Sequence, residues 1–98
     1  MIMSDPNPSP EAFRQMASEY IEVANRQGQD AYVGAVATAM LHAGARYAAF
    51  VAASNSPNKT QMQLSRKTNL DQITAQFRTY LEGHYDEHSE NYDSYIKR

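Results

Sequence analysis

The sequence predicts an all-α protein, a three-helix up-down bundle, from three observations. Apolar residues recur at intervals of three and four along three stretches of the chain. Residues that commonly begin and end helices, such as Ser, Pro, Gly and Asn, lie between those stretches. No stretch shows the strict alternation of a half-buried strand. The 98 residues suit one domain, which we divide into a disordered lead at 1–8, a helical domain at 9–84 and an acidic, tyrosine-containing tail at 85–98.

The first helix is predicted over residues 10–27. Ser9 suits the N-cap, and Pro10 suits the first helical position because its missing N–H would have no helical partner there. We expect Gly28 to end the helix, since glycine adopts the left-handed closing conformation at no steric cost. One face of this helix is apolar and is formed by Phe13, Met16, Ala17, Tyr20, Val23 and Ala24.

The second helix is predicted over residues 30–54, with Asp30 as its N-cap. Ten of the residues 31–53 are Ala and two are Gly, so we expect this stretch to be buried on nearly every side. Its large apolar residues follow a nearly heptad spacing: Val33, Val36, Met40, Tyr47, Phe50 and Val51. A second face of small residues is formed by Ala35, Ala39, Ala43 and Ala49.

Two packable faces on one helix predict a homodimer, because two small neighbouring helices would not cover both. The candidate interface residues are Tyr32, Met40, Tyr47 and Phe50. Exposed tyrosines together with methionines are typical of contact surfaces, although core or incidental positions are the simpler interpretation.

The third helix is predicted over residues 58–84, after Pro57. Either Ser56 or a capping box of Thr60 and Gln63 would begin it. Its apolar face is formed by Leu70, Ile73, Phe77, Tyr80, Leu81 and His84.

Composition excludes several classes of protein. The chain has no Cys, so it forms no disulfide and no sulfur-based metal site. Its first ten residues lack the basic and apolar segments of a signal peptide, and the cytoplasm is the expected location. The net charge of −2 argues against nucleic-acid binding. A membrane span over 31–53 is not expected, because Arg46 would cost about 2.5–3.5 kcal/mol at the bilayer centre.

Three segments resemble a small proteobacterial family known only as a domain of unknown function. They are FRQMASEYIEVAN at 13–25, AVATAMLHAGARYAAFVAAS at 35–54 and ITAQFRTYLE at 73–82. The resemblance covers about residues 11–84. It implies a helical fold and no established activity, cofactor or catalytic residue.

His42 and Arg46 are the candidate ligand-binding residues. They lie four residues apart and therefore project from one side of the second helix. An arginine beside small residues can bind a carboxylate or a phosphate with two hydrogen bonds. We favour a structural role, in which Arg46 forms an ion pair with Glu19, Glu22 or Glu82 and His42 bonds a neighbouring carbonyl.

His84 and His88 are the candidate metal ligands. Two histidines four apart on a helix can share one metal ion, and the segment His84-Tyr85-Asp86-Glu87-His88 has the spacing of an inverted zinc-protease motif. Gly83 beside the motif and the short chain after it argue against a protease. A solvated, acidic helix end is the simpler interpretation.

We therefore expect a non-enzymatic helical module for interaction or assembly, without a cofactor. The alternative is a protein that binds a small anion or metabolite near His42 and Arg46. An enzyme is not expected, because no nucleophile or acid–base pair is placed for catalysis by the sequence pattern.

Overall fold

The computed structural model describes residues 7–96, and these residues form five helices and no strand. The prediction of an all-α protein is confirmed. Most of the predicted lead at 1–8, together with Lys97 and Arg98 of the predicted tail, lies outside the described residues. The helices are α1 (Pro10–Gln27), α2 (Val33–Ser54), α3 (Lys59–Leu64), α4 (Arg66–Glu90) and α5 (Tyr92–Tyr95).

Helix α1 begins and ends where the sequence predicts. The Ser9 hydroxyl accepts a hydrogen bond from the Ala12 amide at 3.1 Å, and Pro10 occupies the first turn. Gly28 follows the last residue, but its φ of −65° is right-handed, so the expected left-handed closure is wrong. Its amide instead donates to the Ala24 carbonyl at 2.9 Å, which any residue could do.

Helix α2 begins at Val33, three residues later than predicted. The amides of Asp30 and Ala31 both donate to the Gln27 carbonyl at 3.1 Å, which prolongs the end of α1 as a turn. Asp30 therefore lies in that turn and does not cap α2. The first helical amide bond at this end runs from Val36 to the Tyr32 carbonyl.

The predicted third helix is two helices, because the chain breaks at Ser65. Asn58 caps α3 by accepting from the Gln61 amide at 2.9 Å, in place of the predicted Ser56 or Thr60. Ser65 has a ψ of 3°, far from the helical value of about −42°. Its amide closes α3 on Gln61, and its carbonyl accepts from the Asn69 amide in the first turn of α4.

Helix α4 continues past residue 84 into the segment assigned to the tail, and α5 follows it after Asn91. Gly83 lies inside α4 and does not end it. A glycine inside a helix costs about 1 kcal/mol relative to alanine, and local pairs offset part of this. Arg78 Nε and Glu82 Oε1 form one such pair at 2.7 Å, and Lys67 Nζ and Asp71 Oδ2 form another at 2.7 Å.

The chain divides into two compact units, Met1–Arg46 and Tyr47–Arg98, with the boundary inside α2. In the described part of the first unit, only Val36 is buried, with 8% of its surface exposed. In the described part of the second unit, no residue is buried. The expectation that residues 31–53 are buried on nearly every side is therefore wrong within the single chain. No helix within residues 7–96 is long and apolar enough to span a membrane.

Candidate functional site

The first feature with functional potential is an apolar stripe on α1 that no other part of its unit covers. We define the α1 stripe as Phe13, Met16, Tyr20 and Val23, spaced by three, four and three residues. All four side chains are exposed, Phe13 by 50%. A helix with this spacing presents a continuous apolar face to a partner helix.

Helix α2 carries a second stripe, of which Val33, Val36 and Met40 lie in the first unit and Tyr47 and Phe50 in the second. We define the α2 stripe as Val33, Val36, Met40, Tyr47 and Phe50. Only Val36 is buried, whereas Tyr47 remains 66% exposed. The rings of Tyr47 and Phe50 lie 6.0 Å apart between centroids at 41°, so each ring contacts a neighbour on its own helix. The predicted interface residues Tyr32, Met40, Tyr47 and Phe50 are all exposed.

Helix α4 carries the third stripe, which we define as Leu70, Ile73, Phe77, Leu81 and His84. Phe77 is 50% exposed, and the other stripe residues are exposed as well. Polar residues lie on the opposite side of α4 and include Thr79, whose hydroxyl donates to the Ala75 carbonyl at 3.1 Å. The α4 stripe is thus an apolar band on an otherwise polar helix.

Two shallow depressions lie where consecutive helices meet. The first lies between α1 and α2 and is lined in part by Ala24, Gly28, Val36 and Met40. The second lies around the turn from α2 to α4 and is lined by Ala52, Asn55, Ser56, Pro57, Gln61, Ser65 and Asn69. Both are open, and neither is lined by an ionisable side chain. Among the described residues, no histidine, carboxylate or lysine that could activate the hydroxyl of Ser56 or Ser65 lines either depression.

His42 and Arg46 lie on α2 and are exposed. Within residues 7–96 no carboxylate forms an ion pair with Arg46, so the expected partners Glu19 and Glu22 do not pair with it. Glu82 pairs instead with Arg78. Neither depression described above is lined by His42 or Arg46, so neither encloses these two side chains.

The histidines near the end of α4 belong to a hydrogen-bonded cluster. His88 Nδ1 lies 2.7 Å from the His84 carbonyl oxygen. A carbonyl can only accept, so Nδ1 carries the proton and only Nε2 of this ring is left to bind a metal ion. The His88 ring is stacked on Tyr95, with centroids 3.9 Å apart. Within the described residues, no group of three or more His, Asp or Glu side chains could hold a metal ion.

Tyr95 joins α5 to the last turn of α4 through Glu87. The Tyr95 hydroxyl donates to the Glu87 carboxylate, whose oxygens lie 2.7 and 2.9 Å away. The Asn91 side-chain amide donates to the Glu87 carbonyl at 3.1 Å. The hydrogen bond to Glu87 raises the pKa of Tyr95, with smaller contributions from desolvation and from the negative charge of Glu87.

This cluster predicts a pH effect that is local to the end of α4. Because the folded-state pKa of Tyr95 is raised, the neutral phenol bonded to the Glu87 carboxylate favours the docked α5 as long as the pH is below the ordinary tyrosine pKa of 10.0 and Glu87 is ionised. That contribution is lost as the pH rises through the raised value. An NMR titration of the Tyr95 ring should show the raised pKa, and Glu87→Gln should return it toward 10.0. Asp86→Gln, which removes a neighbouring charge without this hydrogen bond, should leave most of the shift in place.

The contacts of Glu87, Asn91 and Tyr95 were not predicted from the sequence. A signal was present, because residues spaced by four along a helix lie on the same side, and these three follow one another at that spacing. No sequence pattern indicated the stacking of Tyr95 on His88, because this contact depends on the position of the short helix α5.

Comparison with known proteins gives one match. The model of a family described as "Protein of unknown function (DUF3144)" matches residues 13–89. The match contains the three apolar stripes and includes His88. No curated protein and no solved structure matches the chain.

Proposed function

The chain belongs to the DUF3144 family, whose description assigns no activity, and we propose that it is a non-enzymatic module that assembles with copies of itself. One observation carries the proposal: each of the three long helices has an apolar stripe at the spacing of helix–helix contacts, and almost all of these side chains are exposed. Exposed apolar faces of this extent mark interaction surfaces in soluble proteins.

The amount of apolar surface that the single chain leaves exposed favours association over a stable monomer. Twelve apolar stripe side chains remain exposed: Phe13, Met16, Tyr20, Val23, Val33, Met40, Tyr47, Phe50, Leu70, Ile73, Phe77 and Leu81. Burying one such side chain fully is worth about 1.5–3 kcal/mol, so each half-exposed residue has roughly 1 kcal/mol left to gain. The sum is comparable with the whole stability of a small domain, about 5–15 kcal/mol. Folding and association are therefore expected to be coupled.

The three-helix up-down bundle and the homodimer are part of this proposal. In the assembly, α1, α2 and the continuous helix α4 supply the three long helices, and stripes from more than one copy form the shared core. The interface residues Tyr32, Met40, Tyr47 and Phe50 lie on the exposed surface that such a core would cover.

Small-anion binding by His42 and Arg46 is the second candidate function. It is supported by the lack of a carboxylate partner for Arg46 in the described part of the chain. It ranks second because tight anion sites combine several donors in an enclosed pocket, whereas these two side chains lie on an exposed side of α2. A cytoplasmic location and a proteobacterial source remain expectations from the sequence.

Sedimentation velocity and equilibrium on the full chain test the assembly. We expect a dimer or a larger oligomer at tens of micromolar, and a thermal midpoint that rises with protein concentration, because association stabilises the folded state by mass action. A monomer at that concentration, with a cooperative transition independent of concentration, would overturn the proposal.

A further inference from the structure

The five residues of the α4 stripe are spaced symmetrically about Phe77. Tyr80 lies beside the stripe, about 60° from Phe77, and the symmetric position holds the polar Thr74. From Leu70 to Ile73 the interval is three residues, then four to Phe77, four to Leu81 and three to His84. At 100° per residue these five side chains fall within about 80° of the helix circumference, with Phe77 at the centre. A stripe that reads the same in both directions fits a second copy of itself when the two helices run antiparallel, as an isologous two-fold contact requires.

The distribution of charge along α4 also distinguishes an antiparallel pair of α4 helices from a parallel pair. Residues 66–78 contain Arg66, Lys67 and Arg78 against one acid, Asp71, for a net charge of +2. Residues 82–90 contain Glu82, Asp86, Glu87 and Glu90 and no Lys or Arg, for a net charge of −4 with neutral histidines. An antiparallel pair places each basic half beside an acidic half, whereas a parallel pair places two acidic halves together.

We propose that two copies of the chain associate through antiparallel α4 helices, with the two-fold axis beside Phe77. This inference rests on the proposed assembly and names its central contact. In this register Leu70 faces the partner subunit's His84, and Ile73 faces the partner subunit's Leu81. Phe77 meets the partner subunit's Phe77 on the axis. The helix supplies 25 residues, about 37 Å of contact length.

The charges nearest the axis do not oppose this arrangement. Arg78 would lie near its symmetry copy, but its guanidinium Nε is already paired with Glu82 Oε1 of the same helix at 2.7 Å. That pair lies at the flank of the stripe, since Arg78 is displaced by about 100° from Phe77. The contact itself is therefore formed by apolar side chains, and the charged residues lie along its edges.

Cysteine cross-linking tests the register, because the chain contains no native cysteine and each introduced thiol is unique. A disulfide requires Cα atoms about 4.4–6.8 Å apart, so cross-linking shows that the two substituted residues lie directly opposite each other. We expect a mixture of Leu70→Cys and His84→Cys chains, in which Phe77 is intact, to form a cross-linked heterodimer under mild oxidation. Each variant alone should cross-link at least about tenfold less.

Phe77→Cys alone should also cross-link, since that residue meets its own copy on the axis. The matched control is Ala75→Cys, which lies on the opposite side of α4 and should remain reduced. Strong self-cross-linking of Leu70→Cys would indicate parallel helices and overturn the inference. A mixture that fails to cross-link, while sedimentation still shows an oligomer, would overturn this register but leave the assembly standing. A monomeric wild-type chain would overturn both.

Discussion

Phe77→Glu should convert the assembled chain into a monomer. Phe77 is 50% exposed in the single chain and lies at the centre of the α4 stripe. In a two-fold assembly the substitution removes an apolar contact and adds a carboxylate twice, once in each copy. The lost apolar burial costs about 1 kcal/mol per copy, and placing the carboxylate against an apolar face costs about 1 kcal/mol more. Two copies together lose about 4 kcal/mol, which corresponds to roughly a thousandfold weaker association. Sedimentation equilibrium over a range of concentrations measures this change directly.

Ala75→Glu is the matched control, because it adds the same charge two residues away on the polar side of α4. It should leave the association constant within about threefold of wild type, the range expected for an exposed substitution. Circular dichroism should show α-helix in both variants at high protein concentration. Equal weakening by both variants would mean that added charge, and not the stripe, determines the association.

The ends of the helices show which features local sequence determines. Helix α1 runs from Pro10 to Gln27 as predicted, because the Ser9 cap and the proline act within one turn. The start of α2 was predicted three residues too early. Asp30 has the right side chain for a cap, but its amide bonds back to Gln27, and the propensity of one residue cannot decide between two adjacent turns.

Neither the break at Ser65 nor the continuation of the helix over residues 85–90 was predicted from the sequence. The reason is again that a single residue does not determine where a helix ends. Ser65 leaves the helical region through one changed ψ angle, and serine occurs both inside helices and at their ends. Gly83 was expected to weaken the helix near its end, but α4 continues through it to Glu90. Its cost of about 1 kcal/mol is small beside the cooperativity of a 25-residue helix.

Burial was the least predictable property. The apolar spacing correctly identified which side chains share a face, and the prediction that α2 has two packable faces follows from the same pattern. The sequence could not show whether the chain covers those faces itself, because covering depends on tertiary contacts. Tyr47 and Phe77 are exposed within the second unit, and this exposure favours association over a core formed by one chain.

Val36→Asp should strongly destabilise the packing of α1 against the start of α2. Val36 is the buried side chain in the described part of this unit, with 8% exposure, and it lines the depression beside Ala24 and Gly28. Within residues 7–96 no basic side chain lines that depression, so the new carboxylate would be buried without a partner. Removing one partner of a buried charge pair costs about 3–5 kcal/mol. We expect the free energy of unfolding to fall by about 3 kcal/mol, which lowers the thermal midpoint by roughly 15 °C.

Val33→Asp is the control that separates the effect of burying a charge from the effect of adding one. It makes the same substitution as Val36→Asp, three residues away on the same helix. Val33 is 79% exposed and is the first residue of α2, where a negative charge favours the helix by about 0.3–1 kcal/mol. The unfolding free energy of this variant, measured by chemical denaturation at low concentration, should therefore stay close to wild type. A loss equal to that of Val36→Asp would mean that Val33 is also covered in the folded protein. The α2 stripe would then contact a partner from its first turn onward.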